Sequence, residues 1–250
     1  MRTLRGFATG VAWLVLAACE STPVQDSPQQ LVVVTTKTWT AVEATLRRFE
    51  RGAAAAPWRE VGTPMTAVVG TIGLGWGRGE HAPPDDRPEN GPKKREGDGR
   101  APAGIYALTG AFGSVEPARV PFVRMPYQQM TKDTVCVDDT SSRYYNKVFP
   151  GTSVPIQDWK SAERMLRLDS LYALGLVIGH NAAGVPGEGS CIFLHSWVGP
   201  GVGTAGCTAV SATDLELLLR WLDPRHSPRV VQVPAEALDL LRAKWPDLTL

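Results

Sequence analysis

Residues 191–208 read Cys191-Ile192-Phe193-Leu194-His195-Ser196-Trp197-Val198-Gly199-Pro200-Gly201-Val202-Gly203-Thr204-Ala205-Gly206-Cys207-Thr208. Ile192 to Leu194 is a short apolar run that reads as a strand delivering His195. Glycines and a proline follow, material for a loop and poor material for a core. The strand-and-loop pattern extends outward along the chain. Leu31–Thr36, Trp58–Val61, Met65–Ile72, Ile105–Leu108, Ala173–Ile178 and Val230–Val233 all read as strands. Helices are fewer. Thr40-Ala-Val-Glu43 matches a capping box that would open a helix with Val42, Leu46 and Phe49 on one face, ending near Gly52. Ser161–Arg167 reads as a short helix. A second capping box, Thr213-Asp-Leu-Glu216, opens a helix with Leu215, Leu218, Leu219 and Leu222 on one face and Pro224 as its stop. Pro234 begins a last helix through Lys244. Strands outnumber helices and do not alternate with them, so the predicted fold is mainly β with several packed helices, not a doubly wound sheet.

The same stretch carries the chemistry. A thiol is only partly ionised at neutral pH, and an imidazole brought close can take its proton. Cys207 is flanked by Gly206 and Thr208, and its Gly-rich approach suits a tight turn whose N–H groups can face an oxyanion. The competing reading is an inert buried thiol.

The 250 residues carry 26 Lys and Arg against 25 Asp and Glu, a net charge of +1 that gives no field for nucleic acid. Arg2 and Arg5 precede an apolar stretch, Gly6–Val15, too short for the roughly 20 residues a bilayer span needs. Leu16-Ala17-Ala18-Cys19 resembles a bacterial lipobox. Residues 1–18 are therefore expected to be a signal peptide, with Cys19 acylated and residues 19–30 a tether. Residues 31–250 would form one domain, large enough for its own core. An ordinary secretory signal is the alternative. Glu20, by resemblance to known lipoprotein sorting, points to the outer membrane of a Gram-negative cell.

The chain has four cysteines. With Cys19 assigned to lipid and Cys207 to chemistry, Cys136 and Cys191 remain for a disulfide in an oxidising compartment. Two buried thiols, or a pairing that includes Cys207, stay open. Gly73–Gly79 reads as a loop or strand edge; no dinucleotide or P-loop pattern follows it. His81–Gly99, with Lys93-Lys94-Arg95, reads as a surface loop with His81 exposed. Pro121–Met130 reads as extended loop. Asp138 and Asp139 are adjacent carboxylates, better suited to turn capping and salt bridges than to a shared site. A zinc site from His195, Cys207, Cys191 and His180 has the right ligand types but no metal-binding spacing. No metal and no cofactor are expected.

His195 followed by Thr204-Ala205-Gly206-Cys207 resembles the active-site segment of the L,D-transpeptidases, the YkuD-like catalytic domains. Three further stretches resemble the same family: Glu96–Tyr106 at the strand entry, Val137-Asp138-Asp139 with Tyr145-Asn146, and Gly189-Ser190-Cys191-Ile192-Phe193-Leu194-His195. The resemblance runs from about Val61 to Val233. It implies a YkuD-like β-sandwich or barrel and a periplasmic enzyme acting on peptidoglycan stem peptides. Cys207 would be the nucleophile and His195 the base. Gly206 and Cys207 N–H groups would face the oxyanion, and Thr204 would line the site. A carbonyl from Ser196 or Trp197 would orient the His195 ring. His180 is a candidate second site residue. The chain departs from the family where Ile/Val-Arg usually follows the cysteine. Thr208-Ala209 stands there, so either another cation, such as Arg143 or Arg78, takes that role or the substrate differs. Transfer to an amine and hydrolysis by water both remain open.

Overall fold

A computed structural model describes residues 27–81, 91–239, 243 and 245–246. The expected signal peptide and Cys19 lie outside the described residues, as does part of the expected helix ending at Lys244. The strands, in chain order, are β1 Gln30–Thr36, β2 Glu43–Glu50, β3 Arg59–Glu60, β4 Met65–Val68, β5 Leu74–Trp76, β6 Ala101–Gly113 and β7 Tyr127–Gln129. They continue with β8 Thr134–Cys136, β9 Val148–Pro150, β10 Glu163–Arg164, β11 Leu174–Ile178, β12 Phe193–Ser196, β13 Thr208–Val210 and β14 Arg229–Pro234. Eight of them close on themselves in the order β1-β14-β6-β11-β12-β13-β4-β2, with β2 returning to β1. Closure removes the exposed edges that an open sheet would leave. A separate small sheet orders β10-β8-β9.

β1 shows why the barrel holds. Leu31, Val32, Val33 and Val34 are all fully buried. The strand pairs in parallel with β14 on one side and antiparallel with β2 on the other, so its backbone is satisfied and both faces are covered. One α-helix lies wholly within the described residues, α1 Ala212–Trp221, with short 3-10 turns elsewhere. Its Leu215, Leu218 and Leu219 are buried, as is Leu222 just beyond it, and it packs against β11 and β12. Its cap is Ser211, two positions before the expected Thr213. Ser211 Oγ accepts the Asp214 N–H at 3.0 Å and donates to the Asp214 carboxylate at 2.7 Å.

Two expected helices are strands. Residues 43–50 form β2, in which buried Ala44 and Leu46 alternate with exposed Glu43 and Thr45. Pairing on both sides, with β1 and β4, outweighs the local capping pattern, and Arg47 reaches Glu60 of β3 at 2.6 Å. Within residues 161–167, Glu163 and Arg164 form β10, which pairs with β8 and sets Glu163 opposite Cys136. The helix expected from Pro234 begins as a 3-10 turn, Ala235–Ala237.

The expected surface loop is corrected at both of its described ends. His81 is buried between the rings of Trp76 and Tyr106, and its Nδ1 accepts the Ile105 N–H at 3.1 Å. Gly104, at φ +137°, makes the room: a Cβ there would stand 2.0 Å from the His81 ring. Lys94 is only 3% exposed and is ion-paired to Asp98 at 2.6 Å. Leu74–Trp76 is a true strand, parallel to the start of β6.

Candidate active site

β12 and β13 run side by side in parallel, pairing His195 with Ala209. The loop 197–207 must therefore travel the length of the strand and return, and this brings Cys207, just before β13, back beside the start of β12. The Phe193 N–H lies 3.3 Å from the Cys207 sulfur, and the thiol points to the Cys191 carbonyl at 3.5 Å. Cys207 and His195 line one cavity of about 340 Å³, together with Thr204, Gly206, Tyr172, Glu163, Asp138, Lys94 and Arg167. Cys207 is the free cysteine among the described residues, while Cys136 and Cys191 form a disulfide.

His195 Nδ1 lies 2.7 Å from the Ser196 carbonyl. A carbonyl only accepts, so Nδ1 carries the hydrogen and Nε2 keeps its lone pair to take a proton. Ser196 thus serves through its backbone, and its side chain is not part of the cavity wall. Tyr172 packs against the His195 ring at a steep angle, with centroids 4.9 Å apart.

Thr204 shapes the turn. Its hydroxyl accepts the Gly206 N–H at 3.1 Å and donates to the Cys207 carbonyl at 2.6 Å. The Gly206 N–H is therefore engaged within the turn. Gly206 also faces the Arg100 carbonyl, which a Cβ would meet at 3.1 Å.

The Cys207 thiol and the His195 imidazole both rest uncharged. Burial, followed by the nearby Glu163 charge, pushes the Cys207 thiol up to about 12, against the Phe193 N–H and Tyr172, which favour the anion. Burial also lowers His195 to about 4, with the Arg167 charge acting the same way and the Ser196 carbonyl opposing. The pair is a neutral thiol and a neutral imidazole, and the thiolate forms only when a proton moves.

Other sequence-predicted residues fall elsewhere. His180 is buried outside the cavity, edge-on to Tyr106, with Nε2 3.0 Å from the Glu188 carbonyl. It is a packed ring of the barrel. Cys191 is consumed by the disulfide, so the side chains of the zinc reading are not assembled. Arg143 is paired with Asp158 at 2.7 Å and Arg78 with Glu188 at 3.7 Å, neither on the cavity wall. Thr208 and Ala209 are fully buried within β13, and neither lines the cavity. Lys94 and Arg167 supply its positive charge instead. Asp139 caps a turn through Ser141 and the Lys160 N–H, which hold it down at about 2, whereas Asp138 lines the cavity. Sequence reasoning missed Glu163, Arg167 and Tyr172, which belong to segments read as helix or passed over. Comparison of the chain with known protein families, with curated proteins and with solved structures gives no match.

Proposed function

We propose that this protein is a cysteine acyltransferase of the L,D-transpeptidase kind, acting on peptidoglycan stem peptides. The observation that carries the reading is a free thiol and an Nδ1-anchored imidazole on the wall of one cavity. Cys207 attacks the carbonyl between an L-centred stem residue and the D-alanine that follows. Its proton passes to His195 Nε2 as the sulfur–carbon bond forms, and the ring then protonates the departing amine. The Cys207 N–H is the oxyanion donor we assign, because the Gly206 N–H is taken by Thr204. Lys94 and Arg167 line the cavity already paired, with Asp98 and with Asp169, so a stem-peptide carboxylate would compete with those partners for their charge. The acyl-thioester passes to the amine of a second stem, closing a cross-link. Water as acceptor would make the same scaffold a peptidase.

The Leu16-Ala17-Ala18-Cys19 motif supports a signal peptide and an acylated anchor, which would hold the domain at the periplasmic face of the outer membrane, in reach of the wall. The disulfide suits that oxidising compartment.

Purified protein incubated with a tetrapeptide stem tests the reaction. A cross-linked dimer supports transfer. Free D-alanine without dimer assigns hydrolysis. Neither product, together with no carbapenem adduct at Cys207 by intact mass, rejects acyl chemistry and leaves a wall-binding lipoprotein.

A further inference from the structure

Resting on the reading of this cavity as a stem-peptide site, we infer that Glu96 sets substrate choice: held in place by Tyr145 and Ser190, its carboxylate receives an ammonium group on the side chain of the donor stem residue that Cys207 attacks. Three segments far apart in the chain meet at this carboxylate. The Ser190 hydroxyl donates to Glu96 Oε2 at 2.7 Å, and the Tyr145 hydroxyl donates to the same oxygen. Tyr145 in turn accepts the Gly189 N–H at 3.1 Å. The Glu96 N–H is tied to the Gly187 carbonyl at 2.9 Å. Tyr145 keeps its proton, because burial and then the bond to Glu96 push the phenol up, so it stays a donor.

The network fixes one oxygen and leaves capacity on the other. Oε2 takes both hydroxyls, whereas Oε1 takes the Gly97 N–H at 3.2 Å. A carboxylate oxygen has two lone pairs, so Oε1 can accept again. Glu96 and Ser190 line the cavity together with Cys207 and His195. Glu96 makes no ion pair among the described residues. The cations of the cavity wall are committed elsewhere, Lys94 to Asp98 at 2.6 Å and Arg167 to Asp169 at 2.7 Å. Glu163 on the same wall already has Arg167 at 3.6 Å and the Tyr172 hydroxyl at 2.8 Å. Glu96 is thus a partly buried carboxylate, oriented in advance and lacking a counter-charge, and an ammonium supplies that charge at little cost in ordering. Position selects the stem residue. Ser190 precedes Cys191, whose carbonyl faces the Cys207 thiol at 3.5 Å. The carboxylate is one hydrogen bond and one residue from a group that touches the sulfur, so the stem side chain nearest to it is that of the residue being acylated.

Two tetrapeptide stems test this, one with lysine at the third position and one with norleucine, which keeps the carbon chain and lacks the ammonium. Each is assayed as a substrate, by release of D-alanine, and as a protector of Cys207 against iodoacetamide. Protection is followed by mass spectrometry of the Cys207 peptide from the full-length chain and requires no turnover. In the parent, the lysine stem is expected to protect at about tenfold lower concentration and to show about tenfold higher kcat/KM, chiefly through KM, the size of one hydrogen bond between charged groups. Glu96→Gln keeps the shape, removes the charge and brings the ratio between the stems to about one. Ser190→Ala and Tyr145→Phe loosen the carboxylate and narrow the ratio. Asp138→Asn, on the same wall, keeps it. A parent that binds the two stems equally overturns the inference. So does a Glu96→Gln protein that weakens both stems alike and keeps their ratio, which is the mark of a structural role. If Glu96→Gln does not fold, Ser190→Ala decides, and a parental ratio in that variant overturns the inference. Should the lysine stem protect Cys207 preferentially while the parent releases no D-alanine and forms no dimer, the transpeptidase reading fails and ammonium recognition by Glu96 stands.

Discussion

His195 and His180 share most of the properties by which a working histidine is sought. Both are buried, and burial lowers each to about 4. Each sets one ring nitrogen against a backbone carbonyl, His195 on Ser196 at 2.7 Å and His180 on Glu188 at 3.0 Å. They differ in company. His195 borders a cavity that also holds a free thiol. His180 is packed against Tyr106, with Gly77 so close that a Cβ there would stand 2.6 Å from the ring. Desolvation makes a histidine neutral wherever it occurs; only a proton donor within reach makes that neutrality useful.

The largest expected effects separate the two rings directly. Cys207→Ala abolishes carbapenem acylation. His195→Gln slows it by about 10²- to 10⁴-fold, the usual worth of a positioned general base. His180→Gln leaves the acylation rate near that of the parent and instead lowers stability by about 1–3 kcal/mol, as the ring's buried contacts are lost. Intact-mass kinetics and urea unfolding on the same three variants make the comparison. Equal loss of acylation in His180→Gln and His195→Gln would break it.

The two regions are tied together at Asn146. Its Nδ2 donates to the carbonyls of His180 and Asn181, both at 2.9 Å, and its Oδ1 accepts the Cys191 N–H at 2.9 Å. Cys191 stands at φ +56° and is bonded to Cys136 of β8. The disulfide therefore anchors the segment that leads into β12 and whose carbonyl faces the Cys207 thiol. Replacing both cysteines, Cys136→Ala with Cys191→Ala, is expected to lower stability by about 2–4 kcal/mol. It should slow alkylation of Cys207 less than His195→Gln slows acylation. Urea unfolding with and without a reductant checks the first expectation.

Acid exposes what the rings have in common. Each has a folded-state pKa of about 4, below the ordinary 6.5. The stability this gives is fully present above 6.5 and is lost as pH falls through about 4, because the unfolded chain binds the protons first. Thermal unfolding from pH 7 to pH 4 should show a steep fall in the parent protein. His180→Gln should flatten that fall and leave the remainder to His195. A slope unchanged by His180→Gln would mean that the ring is not held neutral by the fold.

Residue types with a fixed local meaning were legible in the sequence. The β-branched runs of β1, β11 and β14 read as strands, and the leucines of α1 share one face as their spacing requires. The cysteine bookkeeping left Cys136 and Cys191 for each other, and they are bonded. What failed was decided by pairing at a distance. β2 has a local pattern fit for a helix and became a strand because β1 and β4 flank it. Lys94 looked like part of a solvated basic run, yet Asp98, four residues on, allows its burial. Glu163 and Tyr172 carry no sequence signal that names them, because their place at the site depends on β10 joining β8 and on a 3-10 turn meeting β12.

The smallest expected effect isolates the turn that presents the thiol. Thr204 is linked to Gly206 and Cys207 through one hydroxyl, which accepts from the first and donates to the second. Thr204→Val keeps the shape of the side chain and removes both bonds, leaving a buried N–H and a buried carbonyl without this partner, at a cost of about 1 kcal/mol. Thr204→Ser keeps the oxygen and should recover most of that loss. Since His180 does not line the cavity that this turn borders, the acid slope of Thr204→Val should match the parent, while Cys207 alkylation changes with the loosened loop. Thermal unfolding at pH 7 and pH 4, read beside the alkylation rate, separates the two. A Thr204→Val protein with parental stability and parental alkylation would show that the turn is held by its backbone bonds to Val69 and Thr71 alone.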